Sequence, residues 1–185
     1  MPNNSDSRDS GVAHLSIIIP ALNEAQGIAG LVTGLAERFP DAEIIVVDDG
    51  STDGTGDVAA ECGARVVRHP YRKGNGAAVK SGARAAAGDI FVLMDADGQH
   101  RAQDVEHLLT RLAEGYDMVV AARSSSAQAS WARRIGNVAY NALAGWIVNR
   151  PVLDLTSGFR AVRAGLFREF LPLFPNGFSY PTTVT

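Results

Sequence analysis

The chain has a single cysteine, Cys62, among its 185 residues, so it cannot form an internal disulfide bond. It also lacks any run of about 18 uninterrupted apolar residues, so the sequence predicts no membrane-spanning helix. Basic residues are in the minority, because 17 Lys and Arg stand against 20 Asp and Glu for a formal net charge of −3. A chain of this charge is not expected to bind nucleic acid as its main partner. These absences favour a protein of a reducing, cytoplasmic compartment.

Length and composition fit one globular domain with a polar extension at its start. Hydrophobic residues make up 46% of the chain and charged residues 20%, as in ordinary folded domains. Residues 1–14 are mostly polar and contain no apolar segment of the kind a signal peptide needs, so we expect a disordered tail there. We expect the domain to span residues 15–185. Because the chain ends in a segment rich in Thr and Pro with no element after it, we expect this domain to be truncated at its C-terminus.

Short apolar runs alternate with amphipathic segments through residues 15–122. Four runs predict buried strands, at residues 15–19, 44–47, 90–94 and 118–122. The spacing of apolar residues predicts helices between them, most clearly at 28–39 and 103–114, with Asn23 placed as the N-cap of the first. This alternation predicts an α/β fold with an open, mostly parallel sheet and helices on both faces.

Polar clusters follow the predicted strands at the end where each strand finishes. In open α/β sheets, ligands bind beyond these carboxyl ends. Ordinary surface residues would be scattered over both edges of the sheet, so this segregation indicates a binding site. The clusters are Asn23 and Glu24; Asp48, Asp49, Ser51 and Asp53; Arg72, Lys73, Gly74 and Gly76; Asp95, Asp97, Gln99 and His100; and Arg123.

The pair Asp95 and Asp97 is a candidate metal site. Two carboxylates separated by one residue in turning backbone can converge on one hard cation, for which Mg²⁺ or Mn²⁺ is the natural candidate. Gln99 and His100 follow directly and can add an oxygen or nitrogen ligand. An ordinary acidic turn would contain the same pair, so this motif alone leaves both interpretations open.

Two further clusters indicate a nucleotide ligand. Asp48 and Asp49 close a buried strand, and ribose hydroxyls or a base N–H group would satisfy their carboxylates, although a simple β-turn would use the same residues. The segment 73–76 opens a helix whose N-terminal N–H groups can face an anion. Neither a Walker loop nor a Gly-x-Gly-x-x-Gly motif is present. His14 and His69 are expected at the surface or at strand ends rather than as ligands.

Five segments together resemble the family 2 glycosyltransferases of GT-A fold, in order and in spacing over residues 15–160. The Gly98-Gln99-His100 extension and the segment 157–160 resemble the polyprenyl (dolichyl) phosphate hexose synthases within that family. The resemblance implies a Rossmann-like GT-A domain. The five segments are Pro20-Ala21-Leu22-Asn23-Glu24, Asp48-Asp49-Gly50-Ser51-Thr52-Asp53, Lys73-Gly74-Asn75-Gly76-Ala77-Ala78, Asp95-Ala96-Asp97-Gly98-Gln99-His100 and Thr156-Ser157-Gly158-Phe159-Arg160.

The resemblance also implies roles for single residues. The nucleotide base and ribose would be held by Pro20, Asn23, Glu24 and Asp49, and Asp48, Lys73 and Gly76 complete the donor-binding set expected from the clusters. Asp95 would lie near the ribose and diphosphate, and the metal ligands would be Asp95, Asp97 and Gln99. Phosphate groups of donor and acceptor would be held by Arg123, by Arg134 or its neighbour Arg133, and by Arg160. Asn75 stands where the family more often has a second lysine.

The implied activity is inverting transfer of a hexose from a GDP- or UDP-sugar to a polyprenyl phosphate, assisted by Mg²⁺ or Mn²⁺. Since the acceptor phosphate is already an anion near neutral pH, no general base is assigned. A saccharide or protein hydroxyl is an alternative acceptor, and it would require a carboxylate base. A further alternative is an inactive fragment that only binds a nucleotide sugar.

Two expectations concern regions beyond the nucleotide motifs. Residues 131–149 predict a helix with an apolar stripe that includes Trp131 and Trp146, flanked by arginines. This composition is typical of an interfacial helix on a bilayer, although a core helix would have the same period. A lipid-linked acceptor favours the interfacial alternative, with peripheral attachment to the cytoplasmic membrane face. Residues 161–185 are expected to be loosely held, with their apolar side chains lacking partners: Phe167, Phe170, Leu171, Leu173 and Phe174.

Overall fold

The computed structural model describes residues 13–98, 101–121 and 157–177. Its strands are β1 (Leu15–Ala21), β2 (Glu43–Asp48), β3 (Arg65–Arg68), β4 (Ile90–Leu93), β5 (Met118–Val120) and β6 (Arg160–Arg163). Its helices are α1 (Ala25–Arg38), α2 (Thr55–Glu61), α3 (Asn75–Ala85), α4 (Ala102–Ala113) and α5 (Ala164–Phe170), the last followed by a 3₁₀ turn at Leu171–Leu173. Most of the expected tail and the expected interfacial helix at 131–149 lie outside the described residues.

The six strands form one mixed sheet in the order β3-β2-β1-β4-β6-β5. β1 pairs in parallel with β2 and β4, and β2 pairs in parallel with β3. β6 lies antiparallel between β4 and β5, with Arg160 opposite Leu93 on one side and Val120 on the other. The predicted open, mostly parallel α/β sheet is confirmed, while the antiparallel strand β6 was not among the predicted strands.

Alternate strand residues feed two separate cores, as the two-residue period of a strand requires. Ile17 and Ile19 pack with the buried faces of α1, α2 and α4. Ile18 points to the opposite side, where it packs with α3 and α5. The sheet therefore has helices on both faces. Among the described helices, none is long and apolar enough to cross a membrane.

The segment after β6 is packed onto the sheet, contrary to the expectation that it is loosely held. Phe167, Leu171 and Phe174 are buried, and the Phe167 ring centroid lies 6.0 Å from that of Phe91 on β4 in an edge-to-face arrangement. The side chains of Phe170 and Leu173 remain exposed. The expectation is wrong for Phe167, Leu171 and Phe174, because α5 and the 3₁₀ turn close the core over α3 and give these three side chains partners. Residues 178–185 lie outside the described residues.

The same segment is fastened to α3 by hydrogen bonds. Lys80 Nζ donates to the carbonyl of Phe174 at 3.0 Å, and its second partner is Asn176 Oδ1. The N–H group of Ala77 donates to the carbonyl of Asn176 at 3.1 Å. The register of the sheet places the carboxyl ends of β1 to β5 and the first residue of β6 at one edge. Asn176 lies at the same edge, through its hydrogen bond to the N-terminus of α3.

Candidate functional site

The loops after β1 and β2 are hydrogen bonded to one another. Asn23 Oδ1 accepts the N–H of Thr52 at 2.9 Å, and the N–H of Asn23 donates to Ser51 Oγ at 3.0 Å. Asn23 has a left-handed backbone, with φ 58°. The prediction of Asn23 as the helix N-cap is wrong: α1 is capped at Glu24, and the carboxamide of Asn23 is used on the neighbouring loop instead.

The N-terminus of α1 is satisfied from the β2 loop. The N–H of Glu24 donates to Thr55 Oγ1 at 2.8 Å, and the N–H of Ala25 donates to Asp53 Oδ2 at 3.1 Å. Asp53 Oδ1 also accepts the N–H of Thr55 at 3.0 Å. The Thr55 hydroxyl also donates to Asp53 Oδ1, and this hydrogen bond, followed by that from the Ala25 N–H, lowers the pKa of Asp53 below its ordinary value. A carboxylate beside a helix N-terminus is favoured by the helix dipole, so the two loops form a preorganised rim.

The side chains of Asp48 and Asp49 are both buried at the end of β2, and both accept hydrogen bonds from the protein. Asp48 Oδ1 accepts the N–H of Ser51 at 2.8 Å. Asp49 Oδ1 and Oδ2 accept the N–H groups of Lys73 and Gly74, each at 2.8 Å. The sequence argument was that these buried carboxylates need hydrogen-bond donors, which a nucleotide could supply. The protein itself supplies such donors, so contacts of the two aspartates with a ligand stay a prediction.

His69 was expected at the surface or at a strand end, and its role was missed. It follows β3 directly, but its side chain is only 4% exposed, and Nδ1 lies 2.7 Å from Asp49 Oδ1. Burial by itself raises the pKa of the Asp49 carboxyl, but the hydrogen bonds from His69, Lys73 and Gly74 more than offset it and the pKa lies below its ordinary value. The partner of His69, Asp49, comes from another loop, so the sequence around His69 does not reveal it. The alternation of side chains along β3 is the one local signal that could have indicated a buried position.

The N-terminus of α3 is covered by the chain itself. The prediction that the N–H groups of this helix face an anion is corrected at Ala77, because its N–H group donates to the carbonyl of Asn176. A side chain at Gly74 would meet that carbonyl, since an ideal Cβ there would lie 2.5 Å from the oxygen. Gly76 is buried in the first turn, while Lys73 is exposed with Nζ 5.7 Å from the centre of the Tyr71 ring.

Asp95 and Asp97 follow β4 at the centre of the edge. Asp95 is half-buried and Asp97 is exposed. Within residues 13–98, 101–121 and 157–177, no three His, Cys, Asp or Glu side chains are grouped to hold a metal ion. Two carboxylates still fit Mg²⁺ or Mn²⁺, because Mg²⁺ is commonly held by one or two carboxylates plus substrate phosphates and water. Gln99 and His100 lie outside the described residues.

The backbone at the start of β6 lies directly against Asp95. An ideal Cβ built on Gly158 would come within 2.9 Å of Asp95 Cγ, closer than real side chains approach. The absence of a side chain at Gly158 therefore leaves room for this carboxylate. Ser157 and Phe159 on either side are buried, so the backbone here is held in place.

Arg160 lies beside this pair, as the first residue of β6. Its side chain is fully buried, and Nη2 donates to the carbonyl of Ser157. The structure therefore brings a buried guanidinium close to the end of β4, and its role toward a phosphate stays a prediction. Arg123, Arg133 and Arg134 lie outside the described residues.

Changing Gly158 to Ala is expected to disturb the Asp95 carboxylate and to reduce the transferase activity that the family resemblance implies at least ~10-fold, since misplacing a ligand-holding group by about 1 Å is costly. Initial rates at saturating donor measure this effect. The matched control is Gly165→Ala, because a Cβ at Gly165 has no neighbour within 4 Å. An unchanged rate in Gly158→Ala would show that Asp95 does not need this space.

A sequence model described as glycosyl transferase family 2 matches residues 16–171. The undecaprenyl-phosphate 4-deoxy-4-formamido-L-arabinose transferase of Pseudomonas fluorescens is 32% identical, over 91% of this chain and 55% of its own length. The dolichol-phosphate mannosyltransferase of Pyrococcus furiosus is 31% identical, over 89% of this chain and 50% of its own length. The chain thus spans about half the length of these relatives.

Solved structures show the same fold. The crystal structure of glucosyl-3-phosphoglycerate synthase from Mycobacterium tuberculosis, in complex with Mn²⁺, UDP-glucose and phosphoglyceric acid, superposes with a TM-score of 0.75 at 26% identity. The superposition covers 92% of this chain and 63% of that one. The architecture is that of the GT-A glycosyltransferases. With the family model matching most of its length, the chain belongs to glycosyl transferase family 2.

Proposed function

We propose that this chain transfers a hexose from a nucleoside-diphosphate sugar to a polyprenyl phosphate, with inversion at the anomeric carbon. The observation that carries the proposal is the edge of the sheet at which Asp95 and Asp97 lie beside the joined loops of β1 and β2. Two of the relatives described above carry an undecaprenyl-phosphate or dolichol-phosphate acceptor in their names. Sequence similarity of about 30% over nine-tenths of the chain supports the same class of acceptor here.

The donor would lie across the loops that follow β1, β2 and β3. Pro20, on β1 opposite Val47, and the rim residues Asn23 and Glu24 would contact the base and ribose. Asp48 and Asp49 would shape this pocket, and Lys73 and Gly76 would border it at α3. The structural neighbour crystallised with UDP-glucose supports a nucleotide sugar as donor. Both UDP- and GDP-hexoses are compatible with these residues.

Asp95 and Asp97 would hold Mg²⁺ or Mn²⁺, together with Gln99. When bound, such a cation neutralises charge that develops on the leaving diphosphate. The Mn²⁺ in the structural neighbour's complex supports a divalent ion. Asp95, steadied by the backbone of Gly158, would set its position relative to the sheet. Asp97 is more exposed and would complete the pair at the open side of the edge.

The reaction would be a single displacement. An oxygen of the acceptor phosphate would attack C1 of the sugar, and the bond from C1 to the donor diphosphate would break with its electron pair leaving on the diphosphate oxygen. The acceptor phosphate needs no deprotonation, so no side chain has to act as a base. Arg123, Arg134 and Arg160 would stabilise phosphate charge on the donor and acceptor sides. Stabilisation of charge in the transition state by fixed cations is usually the largest electrostatic contribution to catalysis.

A polyprenyl acceptor would also determine where the protein works. Its tail stays in the bilayer, so we propose that the protein binds peripherally to the cytoplasmic membrane face. The composition of residues 131–149 supports this placement, since Trp131 and Trp146 fall on an apolar stripe next to arginines. Attachment of this kind depends on both apolar area and headgroup charge, and it weakens as salt is added.

A second candidate acceptor is phosphoglycerate. The structural neighbour was crystallised with phosphoglyceric acid as well as with the donor, and its fold matches 92% of this chain. Transfer to a hydroxyl acceptor of this kind requires removal of a proton, whereas transfer to a phosphate does not. The two reactions can therefore be separated by their products.

The test is a transfer assay with the full chain, a panel of UDP- and GDP-hexoses, and two acceptors assayed separately. One acceptor is a polyprenyl phosphate in anionic liposomes and the other is 3-phosphoglycerate. We expect a lipid-linked product, loss of transfer on chelation of divalent ions, and sedimentation of the protein with the liposomes. Product formed only on 3-phosphoglycerate would contradict the proposal. Donor binding without transfer to either acceptor would indicate a nucleotide-sugar-binding protein instead.

A further inference from the structure

A chain of buried and half-buried polar groups connects the residue after β3, the end of β2 and α3. His69 Nδ1 lies 2.7 Å from Asp49 Oδ1, and His69 Nε2 lies 2.9 Å from Ser81 Oγ on α3. The side chains of His69 and Asp49 are only 4% and 6% exposed. Since an ionised carboxylate can only accept hydrogen bonds, Nδ1 must carry the proton that faces Asp49. The imidazole is thereby held in one orientation between a carboxylate and a hydroxyl.

The oriented carboxylate of Asp49 holds the backbone of the loop after β3 in place. Its two oxygens accept the N–H groups of Lys73 and Gly74, so one carboxylate fixes two successive peptide units. The loop also lies close to Gly50, where an ideal Cβ would come within 2.7 Å of the N atom of Arg72. The loop from Arg72 to Gly74 is thus tied to the end of β2 by hydrogen bonds and by close packing. It presents the exposed side chains of Arg72 and Lys73 at the carboxyl edge of the sheet.

We propose that His69 is a positioning residue for the nucleotide of the donor. It orients the Asp49 carboxylate, which in turn holds the Arg72–Lys73 turn in the place where its cationic side chains border the nucleotide. This inference rests on the proposed function, because it takes the edge of the sheet as the donor site. His69 itself touches no ligand, and its contribution passes through Asp49.

The place of His69 in the sheet indicates which step it affects. Among the described strands, β3 is the outermost on its side, and β2 and β1 separate it from β4, after which Asp95 and Asp97 follow. Neighbouring strands are about 4.8 Å apart, so the end of β3 lies roughly 14 Å from the end of β4. A displaced Arg72–Lys73 turn should therefore weaken nucleotide binding and leave the reacting carbon in its place. A general loss of fold would lower both the nucleotide affinity and the turnover at saturating donor.

The experiment compares three variants of the full chain. His69→Leu removes the hydrogen bond to Asp49, His69→Asn keeps a donor near the position of Nδ1, and Ser81→Ala removes only the outer hydroxyl. Titration calorimetry with UDP and with GDP in the presence of MgCl₂ gives the nucleotide affinity without requiring any transfer. Turnover at saturating donor is measured separately. The amide resonances of Lys73 and Gly74 in the ligand-free protein report the hydrogen bonds to Asp49.

We expect His69→Leu to weaken binding of the preferred nucleotide at least ~10-fold, because a displaced Arg72–Lys73 turn loses its contacts with the nucleotide. Its turnover should stay within about 3-fold of the parent, because the reacting end is remote. His69→Asn should restore most of the affinity, and Ser81→Ala should change it less than His69→Leu does. The Lys73 and Gly74 amide protons should shift upfield and exchange faster in His69→Leu.

Three results would overturn the inference while the proposed function stands. They are unchanged nucleotide affinity in His69→Leu, an equal loss in His69→Asn and His69→Leu, and a fall in turnover without a fall in affinity. If His69→Leu does not fold, His69→Asn and Ser81→Ala still decide. Each should lose only part of the nucleotide affinity and keep the Lys73 and Gly74 amide signals, and unchanged affinity in both variants would overturn the inference. A parent protein that binds neither UDP nor GDP would instead contradict the proposed function.

Discussion

Replacing Asp97 with Asn is expected to lower the rate of sugar transfer by at least ~100-fold. Without this metal ligand the charge on the departing diphosphate is less well neutralised, which raises the activation free energy by several kcal/mol. Asp97 is exposed at the end of β4, so its replacement should leave the fold intact. The measurement is the initial rate of transfer with Mg²⁺ and with Mn²⁺, alongside a circular dichroism melt that checks folding.

Asp41→Asn is the matched control, since Asp41 is an exposed aspartate before β2 at the opposite edge of the sheet. Its rate should equal that of the parent. Chelation with EDTA should abolish transfer by the parent and by Asp41→Asn, and added Mg²⁺ or Mn²⁺ should restore it. Parent-like transfer by Asp97→Asn in EDTA-treated buffer would refute a metal role for this aspartate.

Phe167→Ala is expected to lower the free energy of unfolding by about 3–5 kcal/mol, the usual cost of emptying a buried aromatic site. The Phe167 ring lies between Phe91 of β4 and Phe174, with centroid distances of 6.0 Å and 5.1 Å. Its loss would leave a cavity at the point where α5 covers the sheet. Urea unfolding followed by circular dichroism measures the change.

Leu173→Ala is the control for this variant, because Leu173 belongs to the same segment but is 69% exposed. A surface substitution of this kind should change the free energy of unfolding by less than about 0.5 kcal/mol. Equal and small effects of both variants would mean that residues 164–177 contribute little to the stability of the domain. That outcome would restore the expectation that this segment is loosely held.

The parallel part of the fold was predictable from local pattern. The apolar runs that became β1, β2, β4 and β5 and the helical spacing that became α1 and α4 reflect burial on one face, which a single segment reveals by itself. The gathering of polar clusters at one edge followed from the direction of parallel strands. The positions of Asp95 and Asp97 at that edge needed no further information.

Features that depend on distant segments were not predictable in this way. β6 is only four residues long and has an arginine at each end, so its pattern is too short to indicate a strand between β4 and β5. His69 is polar and follows a strand, and its partners Asp49 and Ser81 come from the end of β2 and from α3. The capping of α1 by Asp53 and of α3 by Asn176 likewise joins segments far apart in the chain.

The place of β6 in the sheet also sets the order in which the domain can be completed on the ribosome. Leu93 of β4 pairs with Arg160 of β6, so β4 has no strand on this side until β6 has been synthesised. At roughly 5–20 residues per second, that partner is synthesised several seconds later. Until then, β4 is an open sheet edge that includes Phe91, and such an edge is a template for pairing between nascent chains.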